Sequence, residues 1–364
     1  MGASPFPCTP ARASACPMPG AGTAIVAKGH PAEEGPVGVS KPHSYSQRTA
    51  ALRAELGQAV PRPLLRQLHE RSAARHLVVA ARQFAILGAC TWGLVRFPQP
   101  LIWVPLALVQ GFTVFNFTVL LHEVVHGAVF ARPRAVADRW LAFLYAVPSG
   151  ISATQFTRWH LDHHAELGSS EHDPKRHHLS PTINARWYKL LYATPALFFI
   201  YFRAARRESA TYPPEVRARI AVERRVSTAA HLIALALLAW LAGPWPAVRA
   251  YALPVFFVFP VAFTLNRLGQ HYDIDPSDPA RWTTLVRGHW FWDFAFINSN
   301  YHLEHHYFPG VPFYRLPALQ RALAPFHERR QIPWRSYGEL IRGWLVNNHA
   351  PHTNWASAPA DGRR

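Results

Sequence analysis

Cysteine is almost missing from this chain. Of 364 residues only Cys8, Cys16 and Cys90 are cysteines. Their spacing gives neither a disulfide framework nor a zinc ribbon, which fits a reducing compartment. Acidic residues are scarce too, 21 against 38 Lys and Arg, so the formal charge is +17. That balance draws a protein to anionic surfaces. No nucleic-acid recognition motif accompanies it, so no nucleic-acid partner is expected. Anionic lipid headgroups or an acidic protein partner account better for the charge. The amino terminus lacks a charged stretch followed by an apolar one, so no secretory signal is expected. Position 6 is Phe6, which breaks the myristoylation pattern after Gly2.

What is plentiful is apolar sequence, 49% of the chain, with 13% aromatic and only 16% charged. Residues 1–45 are rich in Pro, Ala, Gly and Ser and are expected to be a disordered tail. Over residues 46–76, Leu52, Leu56, Leu64, Leu65 and Leu68 interleave with arginines. This pattern predicts amphipathic helices at a membrane surface, and an ordinary packed helix reads the same way. Four apolar segments are expected as membrane spans, at about 77–95, 101–121, 227–243 and 251–265. The second has 21 residues without a charge, close to the ~20 that a span needs. Two further apolar stretches, 141–156 and 188–202, are short and contain Pro148 or Pro195, so they are expected to be interfacial or buried. A soluble helix is expected over about 316–328, and His327, His349 and His352 are expected at the surface.

Three histidine clusters lie beside these segments: His122 and His126; His160, His163 and His164; and His302, His305 and His306. On a helix, residues three and four apart share a face, so each cluster can aim its imidazoles into one volume. Eight neutral nitrogen donors are too many for one ion with about four protein ligands and natural for two. Imidazole suits iron, copper, nickel and zinc alike, so the spacing leaves the metal open. His271, polar and just past the fourth segment, is expected to be a ninth ligand. Each cluster carries an acid, Glu123, Asp162 or Glu304, which either receives the second ring N–H of a ligand or is a solvated helix-face charge. His231 is expected to be packed or hydrogen-bonded and His289 to line the site or simply pack; the run Glu171-His172-Asp173-Pro174-Lys175-Arg176-His177-His178 either extends the site or is a solvated loop, the loop being expected for His177 and His178.

Seven arginines fall within 203–225, and the amino-terminal arm and tail carry most of the rest. The positive-inside rule puts these parts in the cytoplasm. The expected fold class is therefore all-α: an integral membrane protein with four transmembrane helices in two hairpins and a cytosolic helical cap carrying the histidine boxes. The expected division is a membrane domain over 77–330 and a carboxy-terminal cytosolic tail over 331–364. Taken alone, His122-Glu123-x-x-His126 also matches the zinc-peptidase pattern, with the glutamate as general base. An intramembrane metalloprotease is thus a competing reading, which leaves the other six histidines without a task. A histidine-rich metal transporter competes less well, because such proteins place ligands inside their spans.

The series H-x-x-x-H, then H-x-x-H-H, then Asn300-Tyr301-His302-Leu303-Glu304-His305-His306 resembles the membrane-bound fatty acid desaturase family over about residues 75–330. The following run Tyr307-Phe308-Pro309-Gly310-Val311-Pro312-Phe313-Tyr314 is similar as well. The resemblance implies two iron ions, dioxygen as co-substrate and electrons from an external donor of ferredoxin or cytochrome type. It implies a double bond introduced into a fatty acyl chain of a lipid, acyl-CoA or acyl carrier protein, with lipid or carotenoid hydroxylases and ketolases as the near alternative. It places Asn300 beside the ligands and supports His271 as a ligand. Some members carry an asparagine four residues before that histidine; here the position is Arg267, and Asn266, five away, is expected to point elsewhere. No His-Pro-Gly-Gly motif is present, so no fused cytochrome domain is expected.

Overall fold

The computed structural model describes residues 49–350 except 168, 170, 171, 176–178, 182 and 276. The expected disordered tail, Cys8, Cys16, His177, His178, His352 and the end of the carboxy-terminal tail lie outside the described residues. The described residues are mostly helical, with one isolated β-bridge between Val286 and Arg335.

Four helices are long and apolar enough to cross a membrane: Ala73–Arg96, Pro100–Val125, Pro214–Ala242 and Pro244–His271. Local sequence sets their ends. Ser72 caps the first, its Oγ accepting the Arg75 N–H at 3.3 Å. Pro100 opens the second and Pro214 the third, at positions where a missing N–H costs nothing. Gly243 ends the third with φ at +96°, a conformation that favours glycine. Of the seven arginines over 203–225, Arg217, Arg219, Arg224 and Arg225 lie in the first part of that third helix, and Arg203, Arg206 and Arg207 lie on the preceding helix Ala196–Ser209. Arg, Glu and Ala propagate a helix well, so charge does not terminate it.

The second span is the centre of the molecule. Of its apolar window 61% is buried, against 6% for the third span. It packs on the first span, the fourth span and the helices Ala135–Ala146 and Ala153–Glu166. Gln110 reaches across to donate to the Ala250 carbonyl at 2.5 Å. Gly111 permits closest approach: a Cβ there would lie 2.4 Å from Val258 Cβ on the fourth span. The fourth span is wound as a π-helix over Val248–Val258, where Pro254 removes a donor from the ladder.

The stretch 141–156 is not one element. Helix Ala135–Ala146 ends before Pro148, and Ser152 starts helix Ala153–Glu166 by accepting the Gln155 N–H at 3.1 Å. The Ser152 hydroxyl also donates to Glu223 on the third span at 2.6 Å, which fixes this helix against it. Helix Ala50–Ala59 buries Leu52 and Leu56 on helix Leu316–Arg329, and Glu55 pairs with Arg330. His327 corrects the expectation of a surface residue. It is fully buried among the rings of Tyr307, Phe326 and Trp334, because it lies on the inward face of its helix. His231 packs as expected, with Nε2 donating to the Val147 carbonyl at 2.8 Å and Nδ1 facing the Tyr251 hydroxyl.

Candidate metal centre

The histidines ride on the ends of four elements. His122 sits in the last turn of the second span, and His126 follows that turn. His160, His163 and His164 lie on helix Ala153–Glu166, and His271 is the last residue of the fourth span. His302, His305 and His306 lie on the short helix His302–Tyr307, entered through Ile297 and Asn298 with φ at +41° and +63°. A β-branched residue in that region is strained, and the turn re-aims the chain into the centre.

These ends converge. His122, His126, His160, His164 and His305 form one group, and His163, His271, His302 and His306 a second. Within each group, one ligand atom per residue lies within 4.8 Å of all the others. The nine imidazoles expected from sequence are therefore brought together, five and four.

Ring nitrogens face one another across both groups. Nε2 of His126 lies 2.7 Å from Nε2 of His160, and the same atoms of His305 and His164 are 3.2 Å apart. In the second group, His271 Nε2 is 3.1 Å from His163 Nε2 and 2.9 Å from His302 Nε2. Tautomers can be assigned there from the acceptors behind the rings. His163 Nδ1 is 2.8 Å from the Asp173 carboxylate, and His271 Nδ1 is 3.2 Å from the Trp282 carbonyl. Both acceptors require the proton on Nδ1. Two Nε2 lone pairs then point at each other over 3.1 Å, an arrangement that repels unless a cation lies between them.

Charge state agrees with this. Burial first, and then neighbouring imidazoles or Lys175, holds His160, His163, His164, His302, His305 and His306 well below the usual histidine range. The rings are neutral at ordinary pH with lone pairs available. His122 Nε2 is buried and has no hydrogen-bond partner among the described residues. An all-imidazole set suits iron, copper, nickel or zinc, so the donors fit a pair of transition-metal ions.

The four neighbouring polar residues named from sequence sit differently. Glu123 is 3.5 Å from His122 Nδ1 and accepts the Phe313 N–H at 3.0 Å. Asp162 turns outward to Arg158 at 3.2 Å and touches no ligand ring. Glu304 is buried and accepts from Gln320 at 2.8 Å, with burial pushing its carboxyl up to about 7. Asn300 donates to Asp293 at 2.9 Å. The partners actually found behind the rings include Asp173 on His163 and Lys175, whose Nζ is 2.8 Å from His160 Nδ1. Burial brings Lys175 down to about 7. His289 caps the helix Trp290–Ala295 and does not join the cluster.

A cavity of about 100 Å³ adjoins the cluster. Its walls include Phe115, Val119, Phe156, Trp159 and Phe263, together with His122, His160, His302 and His305. Asn266, Arg267 and Gln270 also line it, so Asn266 does not point elsewhere. It donates to Ser299 at 2.8 Å and accepts from Gln270 at 2.6 Å.

Comparison with known proteins agrees with this architecture. The family model described as fatty acid desaturase matches residues 98–338. The sphingolipid delta(4)-desaturase/C4-monooxygenase DES2 of Homo sapiens is 29% identical over 221 residues, 58% of this chain and 62% of that protein. The sphingolipid delta(4)-desaturase DES1 of Homo sapiens is 25% identical over 221 residues, 58% of this chain and 63% of its own length. DES1 of Drosophila melanogaster is 25% identical over 232 residues, 59% of this chain and 64% of its own. The chain thus spans less than two thirds of these relatives' length.

Proposed function

Because the chain belongs to the fatty acid desaturase family, we propose that it is an oxygen-dependent di-iron desaturase acting on a fatty acyl chain of a membrane lipid. The two facing lone pairs of His163 and His271 carry this reading, since they call for a cation at the place where nine imidazoles meet. One ion is assigned to His122, His126, His160, His164 and His305, the other to His163, His271, His302 and His306. When bound by these rings, an iron pair would supply dioxygen activation and the removal of hydrogen from an unactivated C–H bond, with two electrons from a separate ferredoxin or cytochrome-type donor.

The chain's own residues do the rest. Asp173 and the Trp282 carbonyl hold the Nδ1 protons of His163 and His271, which fixes each ring's orientation. The apolar side chains around the cavity exclude water and hold an extended hydrocarbon against the cluster. In the membrane the spans pair as two hairpins, first with second and third with fourth, within a domain over 77–330. The arginine-rich stretches lie in the cytoplasm, where they also offer an acidic donor a docking face. The histidine helices form a cap on that side.

Hydroxylation is the second reading, favoured by the printed name of DES2, which joins desaturase to C4-monooxygenase. The zinc-protease reading uses only His122, Glu123 and His126, and it assigns no role to the seven other rings beside them. Metal analysis of purified protein should find about two iron ions per chain, the complement that nine imidazole donors suggest. Lipid profiles of cells expressing wild type and His305→Ala then decide the chemistry. New double bonds or hydroxyls with the wild type alone support the oxygenase reading. Zinc without iron, or identical lipid profiles, refutes it.

A further inference from the structure

Arg267 is a strong charge beside the cluster that holding metal does not use. It lies in the fourth span, four residues before His271 and so on the same face, and is only 3% exposed. Its guanidinium sits over the Tyr272 ring, 5.7 Å from the centroid. Its Nε has no partner, and no carboxylate pairs with it among the described residues. Lys175 lines the same cavity. The one acid in the lining, Glu123, is held by the Phe313 amide and His122. Asp173, the acid nearest Lys175 in sequence, is engaged with His163 and the Lys175 amide.

A buried guanidinium without a counter-charge is strongly unfavourable, and an ionisable group inside a span usually faces a functional partner. Arginine also matches oxyanions with two parallel hydrogen bonds. We propose that the cavity receives an oxyanion, a carboxylate or a phosphate ester, bound by Arg267 with support from Lys175. This rests on the lipid reading above only in assigning that oxyanion to the polar end of the substrate. A helix rises about 1.5 Å per residue, so Arg267 and His271 stand roughly 6 Å apart along the axis.

Binding to purified full-length protein in detergent tests this, in both metal-loaded and metal-free forms. The probes are palmitate, 1-hexadecanol, acetate and inorganic phosphate. Wild type should bind palmitate at least about tenfold more tightly than the alcohol. Arg267→Gln should lose that preference while keeping its metal content, and Arg267→Lys should keep part of it. Acetate or phosphate binding with the same Arg267 dependence, and no gain from the acyl chain, would identify a small free anion as the source. Equal binding of acid and alcohol by wild type with no binding of the small anions overturns the proposal. So does a preference that survives Arg267→Gln. If Arg267→Gln does not fold, the wild-type comparison and Arg267→Lys still decide. Iron content and lipid products are read separately. A chain that makes product but ignores the acid removes this inference alone, whereas one without iron removes the desaturase reading and leaves anion binding measurable.

Discussion

The two donor groups are alike in chemistry and unlike in setting. The group of four is buried at every member, whereas three of the group of five are partly exposed. Behind the four stand acceptors, the Asp173 carboxylate and the Trp282 carbonyl. Behind the five stand Glu123, held by a backbone amide, and the amine of Lys175. Acceptors behind His163 and His271 raise the basicity of those rings and lock their tautomers, which predicts that the group of four is the tighter half. Nine rings of one residue type thus make two unequal sites, and the inequality resides in residues that coordinate nothing.

The largest expected effect separates the halves by donor count. His302→Ala leaves three rings in the group of four, whereas His164→Ala leaves four in the group of five, a full complement for one ion. Metal analysis should show His302→Ala losing about one ion per chain and its lipid product falling by roughly 100-fold or more, beyond the loss from an outer partner. His164→Ala should hold close to both ions. Equal losses in the two variants would erase the distinction.

Acid tests the ground beneath the tighter half, where His327 packs on Tyr307 beside His306. Burial holds His327 at about 4, below the ordinary 6.5. Between those values the unfolded chain takes up a proton that the folded chain refuses, so stability falls as pH falls through that window. The integrated loss is roughly 3 kcal/mol. His327→Phe, which keeps an aromatic ring among aromatic neighbours, should make the fall of thermal stability from pH 6.5 to 4 shallower. An unchanged acid slope would assign the sensitivity to other histidines.

Asp173→Asn keeps shape and removes charge behind His163. Chelator competition should show one of the two ions bound about 10- to 100-fold more weakly, with the other unaffected. The smallest effect is expected at Asp162, which lies inside a histidine box but pairs outward with Arg158. Asp162→Ala should change stability by no more than about 0.5 kcal/mol and leave metal content alone. Metal loss in that variant would place the residue back among the ligands' partners.

The converging imidazoles were legible because each cluster is a local pattern on one helix face. His271 was legible from its place at a span end. The outward turn of Asp162 was also within reach: it follows His160 by two residues, about 200° around a helix, while His163 and His164 return to the first face. The roles of Asp173 and Lys175 were not. They enter from the chain after the helix, whose path depends on tertiary contacts rather than on any repeat. Hydropathy placed all four spans yet could not rank them. The second and third score 1.8 and 1.6, but one is the buried axis of the molecule and the other its periphery. Arg267 was visible only as a departure from a pattern, and what it faces became visible once the cavity was in place.

Gly111 gives the assembly its leverage. It sits eleven residues before His122, about 16 Å down the second span, where that helix presses directly on Val258. Both helices end in imidazoles, so a single methyl group inserted there would act like a wedge near the hinge of a pair of tongs. The tips would spread, and chemistry far above would fail although every coordinating ring was still in the chain.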